Sequence, residues 1–183
     1  MIMKSLLVIT FAFIALYCFS CTNSTEPSIG TNLLQNPSFE LNGASSLNGW
    51  RVTDPDLVKY SNDVPPGGGK WSIYLDTYSF GPPISLYDKS QSVRPINGNH
   101  IYTFSFWGKY KTVPGQGLMY TFKGDTIASV KYVVMNDTSW TNYSIVDTIS
   151  SNQADSILVK LYQSAGEVII GRSYFDLCIL SER

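Results

Sequence analysis

A period-two alternation of apolar and polar residues recurs along most of this chain and constrains its fold more than any other feature. In 101–110, Tyr102, Phe104 and Phe106 alternate with Thr103, Ser105 and Trp107. Successive side chains of an extended strand point to opposite faces, so such a run is a strand with one face buried. The same pattern predicts strands over 71–78, 101–110, 117–123, 127–134, 141–149, 156–163 and 174–180. Turn residues separate them: Asn97-Gly98-Asn99, Pro114-Gly115, Lys123-Gly124-Asp125 and Asn136-Asp137. No long run has a period near 3.6. Residues 79–90, with Gly81-Pro82-Pro83, read as a loop crossing a sheet edge. Many short strands without helices imply an all-β protein, an antiparallel β-sandwich.

The N-terminus reads differently. Lys4 precedes an apolar run over 6–19 that is interrupted only by Thr10, and Ser20-Cys21 and the polar 22–28 follow. This is a secretory signal with a processing site, and it is short for a membrane span, which needs ~20 residues. A small residue before cysteine is the lipobox pattern of bacterial lipoproteins, although Phe19 is unusual for one. Cys21 is therefore the expected lipidation site, with ordinary cleavage or an uncleaved anchor as alternatives. The organisation expected is a signal over 1–20, a tether over 21–30 and a single domain over 31–183. Such a protein would be a monomer of the cell envelope, at the outer membrane or cell surface, touching membrane through its lipid only. The formal net charge is −1 with no basic tract, which argues against nucleic acid as a partner. Once Cys18 leaves with the signal and Cys21 carries lipid, Cys178 remains, a small residue on an apolar strand.

Four segments carry a resemblance. The first is Asn32-Leu33-Leu34, Asn36-Pro37, Ser38-Phe39-Glu40 and then Gly49-Trp50. The second is Gln91-Ser92-Val93, Asn97-Gly98 and the strand Ile101-Tyr102-Thr103-Phe104-Ser105-Phe106-Trp107-Gly108-Lys109. Trp140-Thr141-Asn142-Tyr143 and Tyr174-Phe175-Asp176-Leu177 complete the set. In this order they resemble the cellulose- and xylan-binding jelly-roll modules, carbohydrate-binding module families four, nine and twenty-two. Leu177 departs from the pattern, which often has a second acid or amide there. The resemblance implies a galactose-binding-domain-like jelly roll that binds polysaccharide or oligosaccharide without catalysis. It also implies a structural calcium on Glu40 and Asp176, helped by backbone carbonyls. Calcium takes 6–8 hard oxygen ligands, which suits two carboxylates plus carbonyls. The alternative is that Glu40 caps a loop and Asp176 pairs with a lysine.

Catalysis finds little support in the residue types. His100 is the single histidine, in a turn-like context, and no Gly-x-Ser-x-Gly elbow is present. One histidine and one unlipidated cysteine cannot build a zinc site. Glycoside hydrolysis needs two carboxylates, but Glu26 and Glu182 lie near the termini, and Glu167, Asp54, Asp56, Asp63, Asp125 and Asp137 sit in turn-like contexts. Alternation places Trp71, Ile73 and Leu75 in the core and Ser72, Tyr74, Asp76 and Tyr78 opposite. Ile157, Val159 and Leu161 oppose Leu158, Lys160 and Tyr162. A face with Trp107, Tyr74, Asp76, Tyr78, Lys160 and Tyr162 offers rings for the C–H faces of sugars and polar groups for their hydroxyls. The competing reading is a structural or protein-interaction module whose face is covered by a loop, with 79–90 as the cover.

Overall fold

The computed structural model describes residues 31–77, 83–88, 98–164 and 171–183. They form strands β1 (Glu40–Leu41), β2 (Ala44–Ser45), β3 (Trp50–Val52), β4 (Val58–Ser61), β5 (Ser72–Thr77), β6 (Ile84–Asp88), β7 (Asn99–Tyr110), β8 (Gly115–Lys123), β9 (Thr126–Val134), β10 (Thr141–Ser150), β11 (Ser156–Gln163) and β12 (Gly171–Glu182). The one helical turn among the described residues is a short 3₁₀ segment, Pro55–Leu57, capped by Asp54. Two five-stranded sheets form the sandwich. Sheet I has the order β10-β7-β12-β5-β4 and sheet II the order β3-β6-β11-β8-β9, while β1 and β2 pair by themselves. Every pairing is antiparallel. The fold is the all-β antiparallel sandwich that the alternation implies.

All seven expected strands are present, and two expectations need correction. Residues 79–90 are not simply a loop: Ile84–Asp88 is β6, an inner strand of sheet II between β3 and β11. The Gly-Pro-Pro before it masks a short alternation in which Ile84 and Leu86 are fully buried. The rest of 79–90, apart from Pro83, lies outside the described residues, as do Tyr78, Cys21, Glu167 and the 1–20 signal. Trp71 is half-buried just ahead of β5, its ring edge-on to Tyr60 at 6.4 Å, rather than in the core.

The core is the inner faces of the two sheets. Ile73, Leu75, Tyr102, Phe104, Phe106, Phe175, Cys178 and Leu180 come from sheet I. Ile84, Leu86, Met119, Ile157, Val159 and Leu161 come from sheet II. Phe106 stands at the centre, within 5.7 Å of the rings of Phe104, Tyr143 and Phe175. Gly117 on β8 is where that ring meets the opposite backbone, and a Cβ there would overlap it. The opening Asn-Leu-Leu is stitched to the last strand. Leu33 N–H donates to Leu180 O at 2.8 Å, and Asn32 bridges Cys178 O and Leu180 N at 3.0 Å each. Trp50 packs on Phe39 at 5.2 Å and donates its indole N–H to Asn36 O at 3.0 Å. The Asn-Pro-x-Phe-Glu and Gly-Trp motifs therefore close one structural corner.

Candidate functional site

The outer face of sheet I is tied together by its own side chains. Register places Lys59, Tyr74, Tyr174 and Lys109 in one row, with Asp76 opposite Arg172 and Trp107 opposite Asp176. Arg172 reaches both Asp76 oxygens at 3.2 Å, and its guanidinium sits 4.5 Å from the centre of the Tyr74 ring. Lys109 pairs with Asp63 at 2.5 Å and lies 5.0 and 5.1 Å from the Trp140 and Tyr174 rings. Trp140 donates to the other Asp63 oxygen at 2.9 Å. The Lys109 hydrogen bond, against some desolvation and with help from Trp140, holds the Asp63 carboxyl below its usual range. Tyr174 is only 4% exposed beneath this network. Loop residues 62–71 lie over the same face: Ser72 donates to Asp63 O at 2.6 Å, and Gly68 abuts Asp176. Trp107 is half-buried here. The cover on this face is thus the 62–71 segment, and β6 belongs to the opposite sheet.

The outer face of sheet II is partly exposed: Tyr87, Leu118, Lys160 and Tyr162 are half-buried, and Arg51 and Tyr132 are exposed. Register aligns Arg51, Tyr87, Lys160, Leu118 and Tyr132 in one row across all five strands. A second row holds Ser85, Tyr162, Gln116 and Val134, and a third Leu158, Tyr120 and Val130. Tyr120 and Phe122 stack at 6.3 Å. Lys160 Nζ sits 5.0 Å from the Tyr87 ring centre and 4.9 Å from that of Tyr162. Burial raises the Tyr120 pKa, and the neighbouring phenols of Tyr87 and Tyr162 add to it. Tyr132 is 63% exposed, and Val130 and Val134 are exposed with it. Among the described residues, neither Arg51 nor Lys160 has a carboxylate partner.

The six residues grouped by alternation therefore do not share one face. Trp107, Tyr74 and Asp76 are on sheet I, Lys160 and Tyr162 are on sheet II, and Tyr78 lies outside the described residues. Alternation assigns a residue to a side of its own strand and cannot say which sheet the strand joins. Tyr120, Phe122 and Tyr132 alternate with inward residues on β8 and β9, so their pattern was available in sequence. Arg51 and Tyr87 sit on strands too short or too well masked to find that way. His100 is also not an exposed turn residue: it lies on β7, half-buried, with Nδ1 2.6 Å from Glu182 Oε1.

Glu40 and Asp176 do come together. Glu40 accepts hydrogen bonds from the backbone amides of Lys70 and Trp71. A Cβ on Gly69 would overlap its carboxylate, so a larger residue there would have to displace it. Asp176 is fully buried. One of its oxygens accepts from Leu177 N at 2.7 Å, and the other, Oδ2, has no partner. Burial first, with the charge of Glu40 adding, pushes its pKa up to about 7. Leu177, the departure from the resembled motif, occupies a left-handed conformation with φ 46° in a β-bulge between Asp176 and Ile179. No lysine pairs with Asp176 among the described residues, whereas Glu40 does cap a loop. An orphaned carboxylate oxygen beside a second carboxylate fits a hard cation. No third acid, histidine or cysteine joins them among the described residues, so backbone carbonyls and water would complete the shell.

A cleft of about 330 Å³ opens elsewhere, between edge strands β9 and β10. Lys131 and Asp147 pair in its wall at 2.6 Å, and no aromatic ring lines it.

No protein-family model matches this sequence, and no curated protein matches it. Solved structures match the fold. One is the enzymatically active domain of bacteriophage CBA120 tailspike protein 4, with 18% identity and a TM-score of 0.65 over 83% of this chain. This chain spans only 21% of that protein's length. A second is TmCBM61 in complex with β-1,4-galactotriose, with 20% identity and a TM-score of 0.53 over 83% of this chain and 99% of that one. A third is the CBM22-2 xylan-binding domain of Paenibacillus barcinonensis Xyn10C, with 14% identity and a TM-score of 0.53 over 80% and 98%. The resemblance to jelly-roll carbohydrate-binding modules holds at the level of fold.

Proposed function

We propose that this protein binds a glycan across the outer face of sheet II and performs no reaction on it. The observation that carries this reading is the row Arg51–Tyr87–Lys160–Leu118–Tyr132, whose two cations have no carboxylate partner among the described residues. Tyrosine rings pack against the apolar C–H faces of pyranoses, and phenols, Gln116 and Arg51 meet the hydroxyls. Glycoside hydrolysis needs a carboxyl pair flanking the scissile bond, and no described strand position on this face is acidic. Solved proteins of this fold with galactotriose or xylan in their names add support. The sheet I face, with Trp107, Tyr74 and Asp76, is read as structural.

Glu40 and Asp176 would hold a calcium ion that offsets their mutual repulsion and fixes the 62–71 loop, away from the ligand face. Cys21 would carry lipid and tether the domain to the cell envelope. A Cys21→Ala variant should then lose labelling by a palmitate analogue, and undiminished labelling would refute the anchor. The function itself is tested on a glycan array. Tyr162→Ala and Tyr87→Ala should lose binding by about ten- to a hundredfold, as for hot-spot aromatics, while Trp107→Ala keeps it. Loss with Trp107→Ala alone would return the site to sheet I.

A further inference from the structure

The charge on the sheet II face narrows the ligand class, an inference that rests on the glycan reading above. The described strand positions on this face are neutral except two, Arg51 and Lys160, and both are cations. Three cations elsewhere are matched with acids: Lys109 with Asp63, Arg172 with Asp76, and Lys131 with Asp147. The phenols and Gln116 can meet the hydroxyls of a neutral sugar, as donors and acceptors, without either cation. Lysine and arginine supply donors and no acceptor. The geometry of Lys160 adds a second argument. Its ammonium is held 5.0 and 4.9 Å from two ring centres, on a half-buried side chain. Ring faces orient and partly desolvate a cation without neutralising it. An anion arriving from outside would find that ammonium already positioned, so little side-chain ordering would oppose the contact. Arg51 lies two strands away in the same row, its backbone about 9–10 Å from that of Lys160, with Tyr87 between them. One ring for a flat sugar face, flanked by two cations for acidic substituents, is a coherent recognition pattern.

We propose that this face takes an acidic polysaccharide, a chain bearing carboxylate or sulfate groups, with Lys160 as the principal anion contact and Arg51 as the second. Bonds from an ammonium to such groups are charge-assisted and salt-sensitive. The test titrates the purified full-length chain with polygalacturonate, with the same polymer after carboxyl reduction, and with a sulfated galactan, at low and high salt. Affinity for at least one acidic polymer should exceed that for the reduced polymer by about tenfold or more, the effect of one charge-assisted bond. Preference between the two acidic polymers tells carboxylate from sulfate. Lys160→Met, which keeps an apolar stem between the rings, should erase most of that preference and its salt dependence without lowering the melting temperature. Arg51→Gln should do so in part. Equal affinity for acidic and reduced polymers, unchanged in Lys160→Met, overturns the inference and leaves the glycan face standing. Failure to bind any of the three overturns it as well, and a blank glycan array would then remove the underlying reading too.

Discussion

The outer faces of sheets I and II are both made of tyrosines interleaved with cations, yet they are in different states. On sheet I the two central cations are paired, whereas Lys59 and Lys111 have no carboxylate partner among the described residues: Arg172 clamps Asp76 over Tyr74, and Lys109 clamps Asp63 between Trp140 and Tyr174. On sheet II, Lys160 stands between Tyr87 and Tyr162, and Arg51 shares their face. Neither has a carboxylate partner among the described residues. Residue composition does not separate a structural face from a recognition face. What separates them is whether the face has already satisfied its own polar groups, because a satisfied pair offers a ligand little to gain.

The comparison can be broken most forcefully by truncating one ring on each face. Tyr174→Ala, at a 4% exposed site, should cost ~3–5 kcal/mol, as for a buried aromatic. Tyr132→Ala, at a 63% exposed site, should stay within ~0.5 kcal/mol. Urea unfolding of both variants measures this, and equal costs would erase the distinction.

The buried acid on sheet I gives the next largest effect. Asp176 is raised to about 7 in the folded protein, against ~3.9 unfolded. Between those values the native state binds the extra proton, so stability falls as pH rises from about 4 to 7 and levels above. The full span is on the order of 3–4 kcal/mol. That slope should appear in chelator and vanish in Asp176→Asn. Calcium at a hundredfold excess over its Kd should restore ~2.7 kcal/mol at neutral pH. A chelator-independent melting temperature in wild type would remove the cation.

The smallest effect belongs to Asp63, whose side chain is 49% exposed. Its folded pKa is depressed, so its contribution is present above the unfolded value and is lost as pH falls through the folded one. Solvent screening limits the pair, and Asp63→Asn should cost no more than ~1 kcal/mol at pH 7. A larger loss would mean that the loop over sheet I depends on this one pair.

Much of the fold was legible because strand alternation is local. Tyr102, Phe104 and Phe106 are all buried, as their spacing requires, and so are Ile157, Val159 and Leu161. The site was less legible because strand pairing is not local. Nothing within 156–163 says that β11 joins β8 and β6, so alternation groups Lys160 and Tyr162 with Tyr74, which is on the other sheet. β3 is three residues long, too short to show any period, and it hides Arg51. The meeting of Glu40 with Asp176 was reachable only through the family resemblance, since a bulge and a glycine loop bring them together.

Backbone amide chemical-shift mapping during a titration with a glycan chosen from the array is the most direct test of the two-face account. Shifts should cluster at Arg51, Tyr87, Leu118, Lys160 and Tyr162, while the amides of Tyr74, Lys109 and Tyr174 stay still. Shifts concentrated on those last three, with sheet II silent, would contradict it.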